Sequence, residues 1–145
     1  MIRMLVATDG SPHARKAAEL AARLAGKLHA AEVMLVHLGH LPTIVFAAAA
    51  GSGMVDFAGL EEAMGQAGRA ILNTTLQAFV KLDCPVAQVY RRGDPSAEIL
   101  SAASEHTADL IIMCSRGLGQ ISGLILGSVS ERVLRGARVP VLIVR

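Results

Sequence analysis

The sequence predicts a single α/β domain, a doubly wound open parallel sheet of five strands, on three observations. Five short apolar runs alternate with segments of helical period. Apolar residues make up 52% of the chain and charged residues 18%, too apolar a balance for disorder. A glycine-rich stretch, residues 114–128, follows one of the apolar runs and leads into a helical segment. Near-continuous apolar strands separated by helices are buried on both faces, which is the habit of parallel sheets. A length of 145 residues suffices for one domain with a full core and is short for two.

The strands are expected at residues 2–8, 32–38, 86–90, 110–113 and 139–144. The first helix starts at Ser11-Pro12, a cap followed by a residue preset for the first turn. It places Ala14, Ala17, Ala18, Ala21, Leu24, Ala25 and Leu28 on one face, an apolar stripe of small residues suited to close packing on a sheet. A second helix over residues 57–82 carries Leu60, Met64, Ala67, Ile71 and Ala78 as its expected buried stripe. Asp94-Pro95 opens a third helix and Gly127-Ser128 a fourth. Residues 39–56 form a long apolar connection with Gly51-Ser52-Gly53 at its centre. Connections of that length are commonly functional, and both a partly helical cover and a lid or partner surface fit it.

Several function classes are excluded at this level. A net charge of +2 with 3% aromatic residues offers nucleic acid neither a basic surface nor stacking platforms. Apolar runs are far shorter than the roughly 18 residues of a membrane span. The N-terminus lacks the apolar stretch of a secretory leader, which predicts a cytoplasmic protein. Cys84 and Cys114 make neither a metal set nor a disulfide framework, and Cys84 is expected to be a small buried residue.

The stretch Cys114-Ser115-Arg116-Gly117-Leu118-Gly119, continuing to Gly127-Ser128-Val129-Ser130, reads as a phosphate cradle. A glycine-rich turn feeding a helix N-terminus aims unpaired N–H groups at one point, and glycine permits positive φ and close backbone approach. Two other phosphate loops do not fit. A P-loop requires Lys and then Ser or Thr after its last glycine, whereas Ser128 and Val129 follow Gly127. The dinucleotide fingerprint belongs in the first strand-to-helix turn, where Asp9-Gly10-Ser11-Pro12 has one glycine.

The segment resembles the universal stress protein family, whose nucleotide-binding members carry G-x2-G-x9-G-[ST] after the fourth strand. Gly117, nine residues, then Gly127-Ser128 reproduce the second part, while Cys114 stands where the first glycine belongs. The resemblance extends to Ile2-Arg3-Met4-Leu5-Val6-Ala7-Thr8-Asp9-Gly10-Ser11, Val33-Met34-Leu35-Val36-His37-Leu38, Gly93-Asp94-Pro95-Ser96 and Val139-Pro140-Val141-Leu142-Ile143-Val144. It implies an adenine nucleotide alpha hydrolase-like fold with strand order 3-2-1-4-5. Ligands of such sheets bind where connection order reverses, here between strands one and four, so Asp9 and residues 114–117 converge.

Further implications follow from the same resemblance. The nucleotide is ATP, or AMP or ADP, with Mg²⁺; Asp9 is a candidate for the ribose hydroxyls or the metal, the other reading being a turn or cap. Adenine is held by backbone hydrogen bonds from the end of strand two, at Leu38, and an apolar slot including Ala7, and Met113 is a further candidate nucleotide-binding residue. Phosphates lie on Ser115, Arg116, Gly117, Leu118, Gly119, Gly127, Ser128, Val129 and Ser130. Cys114 either costs positive-φ strain of about 1–2 kcal/mol or crowds the phosphates with its Cβ, its thiol being acidified if it lies near a helix N-terminus; the other reading is a tolerated small substitution. His37-Leu38-Gly39-His40 spells the H-x-G-H of nucleotidyl transferases, but after the second strand instead of the first. The expected protein is a non-enzymatic stress-response module, with slow hydrolysis or autophosphorylation as side activities, an unspecified protein partner, and a homodimer through residues 139–144. A nucleotide-free interaction protein and a nucleotidyl-transfer enzyme are the alternatives.

Overall fold

The computed structural model describes residues 1–28, 30–40, 51, 53, 56–117 and 126–145. Strands β1 (Ile2–Ala7), β2 (Ala31–Gly39), β3 (Val86–Arg92), β4 (Leu110–Cys114) and β5 (Val141–Val144) alternate with helices α1 (Pro12–Ala25), α2 (Phe57–Leu76), α3 (Pro95–Glu105) and α4 (Ser128–Gly136). The sheet order is β3-β2-β1-β4-β5 and every pairing is parallel, as expected. The fifth strand is shorter than expected. Pro140 has no N–H to give to a ladder, so pairing starts at Val141, opposite Ile111.

Alternation along each strand divides the core into two layers. Met4, Val6, Val33, Leu35, Ile112 and Cys114 face α1 and α2, while Leu5, Ala7, Val36, Ile111 and Met113 face α3 and α4. Helix α1 behaves as its alanine stripe predicts, with Ala14, Ala17, Ala18, Ala21 and Ala25 all buried. Leu28 is a correction: the helix ends at Ala25 and Leu28 is exposed. Ser11 caps this helix by accepting from Ala14 N at 3.1 Å.

Helix α2 departs from its expected stripe. Gly65, Gly68, Leu72 and Thr75 are buried, whereas Leu60, Met64, Ile71 and Ala78 are half-buried and Ala67 is exposed. The reason is the rings beneath it. A Cβ on Gly68 would stand 2.5 Å from Cδ2 of Tyr90 and 3.0 Å from Cδ2 of His37, so the helix presents glycine to the sheet there. The helix also ends at Leu76, and a 3₁₀ turn (Gln77–Phe79) delivers Phe79 to the core. Cys84 is half-buried, not buried, and packs against the edge of the α1–α2 layer.

Candidate functional site

The C-terminal ends of β1 and β4 are neighbours, and the residues after each one meet. The Thr8 N–H donates to Val36 O at 2.9 Å, extending the β1–β2 ladder past the strand end. The chain then turns at Gly10, whose φ of +78° is left-handed territory that glycine enters freely. One Asp9 oxygen, Oδ1, accepts from Ser11 N at 2.9 Å, the Asx-turn arrangement. The other oxygen faces the loop after β4: a Cβ on Gly117 would stand 2.5 Å from Asp9 Oδ2. Asp9 therefore serves the turn with one oxygen and approaches the glycine loop with the other. A side chain at Gly117 would displace the Asp9 carboxylate from this position, and the Gly117 φ is not in the positive range.

Ser115 ties the two ends of the loop together. Its carbonyl accepts from Gly127 N at 2.7 Å and from Ser130 Oγ at 3.0 Å, and its own N–H donates to Val144 O at 2.9 Å. Gly127 is the cap of α4 with an extended backbone, φ −75° and ψ 159°. A Cβ there would lie 3.2 Å from Ser115 O. The first intrahelical bond runs from Glu131 N to Gly127 O at 3.0 Å, so the N–H groups of Ser128, Val129 and Ser130 have no acceptor within the helix. The positive end of the helix dipole lies at this terminus, beside Ser115 at the end of β4. Gly117 and Gly127, where a Cβ would stand 2.5 and 3.2 Å from the nearest oxygen, lie on either side of Ser115 O and leave the backbone there without side chains.

The remaining expected residues separate by strand parity. Ala7, Met113, Leu38 and Val129 join one apolar cluster on the α3–α4 side, next to the N-terminus of α4. Ser115 and Ser130 are buried, Arg116 is half-buried and Ser128 exposed. Leu118 and Gly119 lie outside the described residues, as does most of the connection from residue 41 to 55.

Cys114 belongs to β4 and points the other way, 8% exposed, into the α1–α2 layer. Positive φ at non-glycine residues occurs, among the described residues, at Thr107, so Cys114 bears no such strain. Burial, and then the Asp9 carboxylate, push its thiol above the ordinary cysteine range; the acidified thiol is thus corrected, because desolvation outweighs any help from donors nearby. Of the H-x-G-H residues, His37 faces α2 and donates from Nδ1 to Thr8 O at 2.8 Å, while His40 is exposed.

Sequence reasoning missed Thr8 and Thr75. Their hydroxyls meet at 3.1 Å in the lining of a cavity of about 600 Å³ between α1 and α2, together with Ser11, Arg15, Ile71 and Ala78 among others. This cavity lies on the opposite side of the Asp9 turn from α4. Two threonines 67 residues apart leave no local signal. Among the described residues no group of three or more His, Cys, Asp or Glu is placed to hold a metal, and no helix is long and apolar enough to cross a membrane.

A doubly wound sheet whose first and fourth strands are neighbours, with Asp9 after one meeting Gly117 after the other, defines an open α/β protein of the kind that takes ligands at the switch point. A family model described as Universal stress protein family matches residues 1–145, and the chain belongs to that family. It is similar to Universal stress protein YxiE of Bacillus subtilis, 33% identical over 146 residues, covering 99% of this chain and 98% of the relative. Among solved structures it is similar to the hypothetical protein MJ0577, the subject of a structure-based assignment of biochemical function. That match has a TM-score of 0.82 at 25% identity and covers 99% and 94% of the two chains. A universal stress protein solved in complex with cAMP matches with a TM-score of 0.72 at 24% identity, covering 99% of this chain and 97% of the other, which shows the shared fold. The fold is adenine nucleotide alpha hydrolase-like.

Proposed function

We propose that this protein binds an adenine nucleotide, ATP with Mg²⁺ foremost, in the crevice between β1 and β4, and acts as a cytoplasmic stress-response or signalling module. The observation that carries the reading is the meeting of the Asp9 carboxylate with Gly117 at the foot of a loop whose other end, Gly127, begins α4. Gly117, Ser128, Val129 and Ser130 offer backbone N–H groups to phosphates and Gly127, whose own N–H is held by Ser115 O, lets them approach the backbone without a side chain, with Arg116, Leu118 and Gly119 completing the candidate set. Ala7, Leu38, Met113 and Val129 form the apolar side for the base. Asp9 takes the ribose or the metal; Mg²⁺ characteristically binds through one or two carboxylates together with phosphate oxygens and water. The cAMP complex of a relative supports an adenine nucleotide as the ligand class. Cys114 does not argue for the nucleotide-free alternative, because its side chain is turned into the core.

Mg-ATP at about 100 times its dissociation constant is expected to add roughly 2.7 kcal/mol of stability, a rise of about 5–10 °C in melting temperature at this size. Scanning fluorimetry with ATP, ADP and AMP reads it directly. A flat response to all three at millimolar concentration would refute the nucleotide reading.

The same reading includes a homodimer through β5. This strand pairs with β4 on one side and is last in the sheet order, and an apolar edge invites pairing. An antiparallel, two-fold contact between copies would satisfy both edges. Pro140 O and Val144 O accept from β4 and from the residue after it, so alternate residues Val141 and Ile143 turn their N–H groups outward. Ile143→Pro removes an outward donor and leaves the inner ladder intact. Light scattering is expected to give a parent dimer of twice the 15.1 kDa chain and a folded monomer for the variant; a monomeric parent refutes the contact.

A further inference from the structure

We propose that His37 is a positioning residue for the Asp9 turn, holding the peptide between Thr8 and Asp9 so that the Asp9 carboxylate meets Gly117. The inference deepens the nucleotide-binding reading and rests on it for its functional consequence. The acceptor of the His37 bond is the Thr8 carbonyl, at 2.8 Å from Nδ1. That carbonyl belongs to the peptide plane from which Asp9 departs, so its direction sets where the Asp9 side chain leaves the backbone. A carbonyl can only accept, hence Nδ1 carries the proton and the ring's tautomer is assigned when neutral.

Thr8 is held from three further directions. Its N–H is bonded to Val36 O at 2.9 Å. Its hydroxyl lies 3.1 Å from that of Thr75, and the Thr75 proton is already given to Ile71 O at 2.9 Å, so Thr8 donates to Thr75. The Thr8 hydroxyl in turn accepts from Gly10 N at 3.3 Å. A continuous chain of donors thus runs from the Gly10 turn through Thr8 and Thr75 into α2. His37 supplies the lateral support, and it is itself held in place: its ring stacks on Tyr90 with centroids 6.0 Å apart and planes 29° apart, and Gly68 of α2 leaves the space both rings need. A residue kept only to fill space would not need a nitrogen aimed at the Thr8 carbonyl.

Two substitutions separate positioning from packing. His37→Phe keeps a ring for Tyr90 and loses the donor; His37→Asn loses the ring and keeps a donor near the Nδ1 position. In nucleotide-free protein, amide hydrogen exchange at Ser11, whose N–H is held by Asp9 Oδ1, is expected to quicken about tenfold in the Phe variant relative to exchange in the β1–β2 ladder. In the Asn variant it should stay within about threefold of the parent. ATP titration should follow the same order, about tenfold weaker for Phe and within about threefold for Asn. Greater damage from Asn than from Phe, or parental Ser11 exchange in the Phe variant, overturns the proposal and leaves His37 a packing residue. If the Phe variant does not fold, His37→Gln, whose donor reaches past the Nδ1 position, replaces it with the same expected order. A parent that binds no ATP refutes the nucleotide reading, and Ser11 exchange then decides the positioning role by itself.

Discussion

Gly127→Asp is expected to weaken ATP binding at least about 100-fold while the protein stays folded. Like charges brought together at a binding surface cost several kcal/mol, and about 2.7 kcal/mol already corresponds to a hundredfold. The fold tolerates the change for local reasons. Gly127 has an extended backbone that any residue adopts, and aspartate is a favoured helix cap whose charge suits a helix N-terminus by about 0.3–1 kcal/mol. The new Cβ would sit 3.2 Å from Ser115 O, a tightness relieved by a few tenths of an ångström. Loss of binding with a nearly unchanged melting temperature is therefore the signature. Cys114→Gly is the contrast: its side chain faces the core, so affinity should stay within about threefold while stability falls by roughly 1–2 kcal/mol from lost burial and added chain entropy. Calorimetric titration and thermal melts of both variants check this. An Asp variant that binds ATP like the parent would put the phosphates somewhere else.

Gly68→Leu is expected to produce the largest loss of stability of any single change in α2. Its Cβ would stand 2.5 Å from Cδ2 and Cε2 of Tyr90, two atoms of a rigid ring that cannot swing aside without moving His37. Overpacking of this kind typically costs 1–3 kcal/mol and occasionally more; at about 3 kcal/mol the melting temperature falls by roughly 6–12 °C. Gly65→Ala, one turn earlier and also buried, should behave oppositely. Its Cβ would meet the Arg69 guanidinium at 3.3 Å, the far end of a flexible side chain, and alanine gains up to about 1 kcal/mol in a helix interior. Equal effects at the two glycines would mean that α2 does not rest on the Tyr90 and His37 rings.

The parallel sheet and its helices were legible because burial on both faces leaves a local trace, an apolar run of four to nine residues or a stripe with period 3.6. Gly117 and Gly127 were legible for a different reason: their spacing, with Ser128 after the second, repeats that of a known family motif. Helix α2 shows where such reasoning stops. Its buried line runs through Gly65 and Gly68, and a hydropathy stripe cannot register a glycine selected for the room it leaves above rings more than 20 residues away.

By itself, the sequence determined the α/β class, the strand and helix sequence, and the two segments that end at the switch point. Only the tertiary structure decided that Cys114 faces the core, that one Asp9 oxygen is committed to its turn while the other meets Gly117, and that His37, Thr8 and Thr75 form one hydrogen-bonded support. Local periodicity carries no information on which of two faces a strand residue takes or which distant donor finds a given carbonyl. Those are settled when β1 takes its place between β2 and β4, which brings the Thr8 carbonyl to His37 and the Thr8 hydroxyl to Thr75.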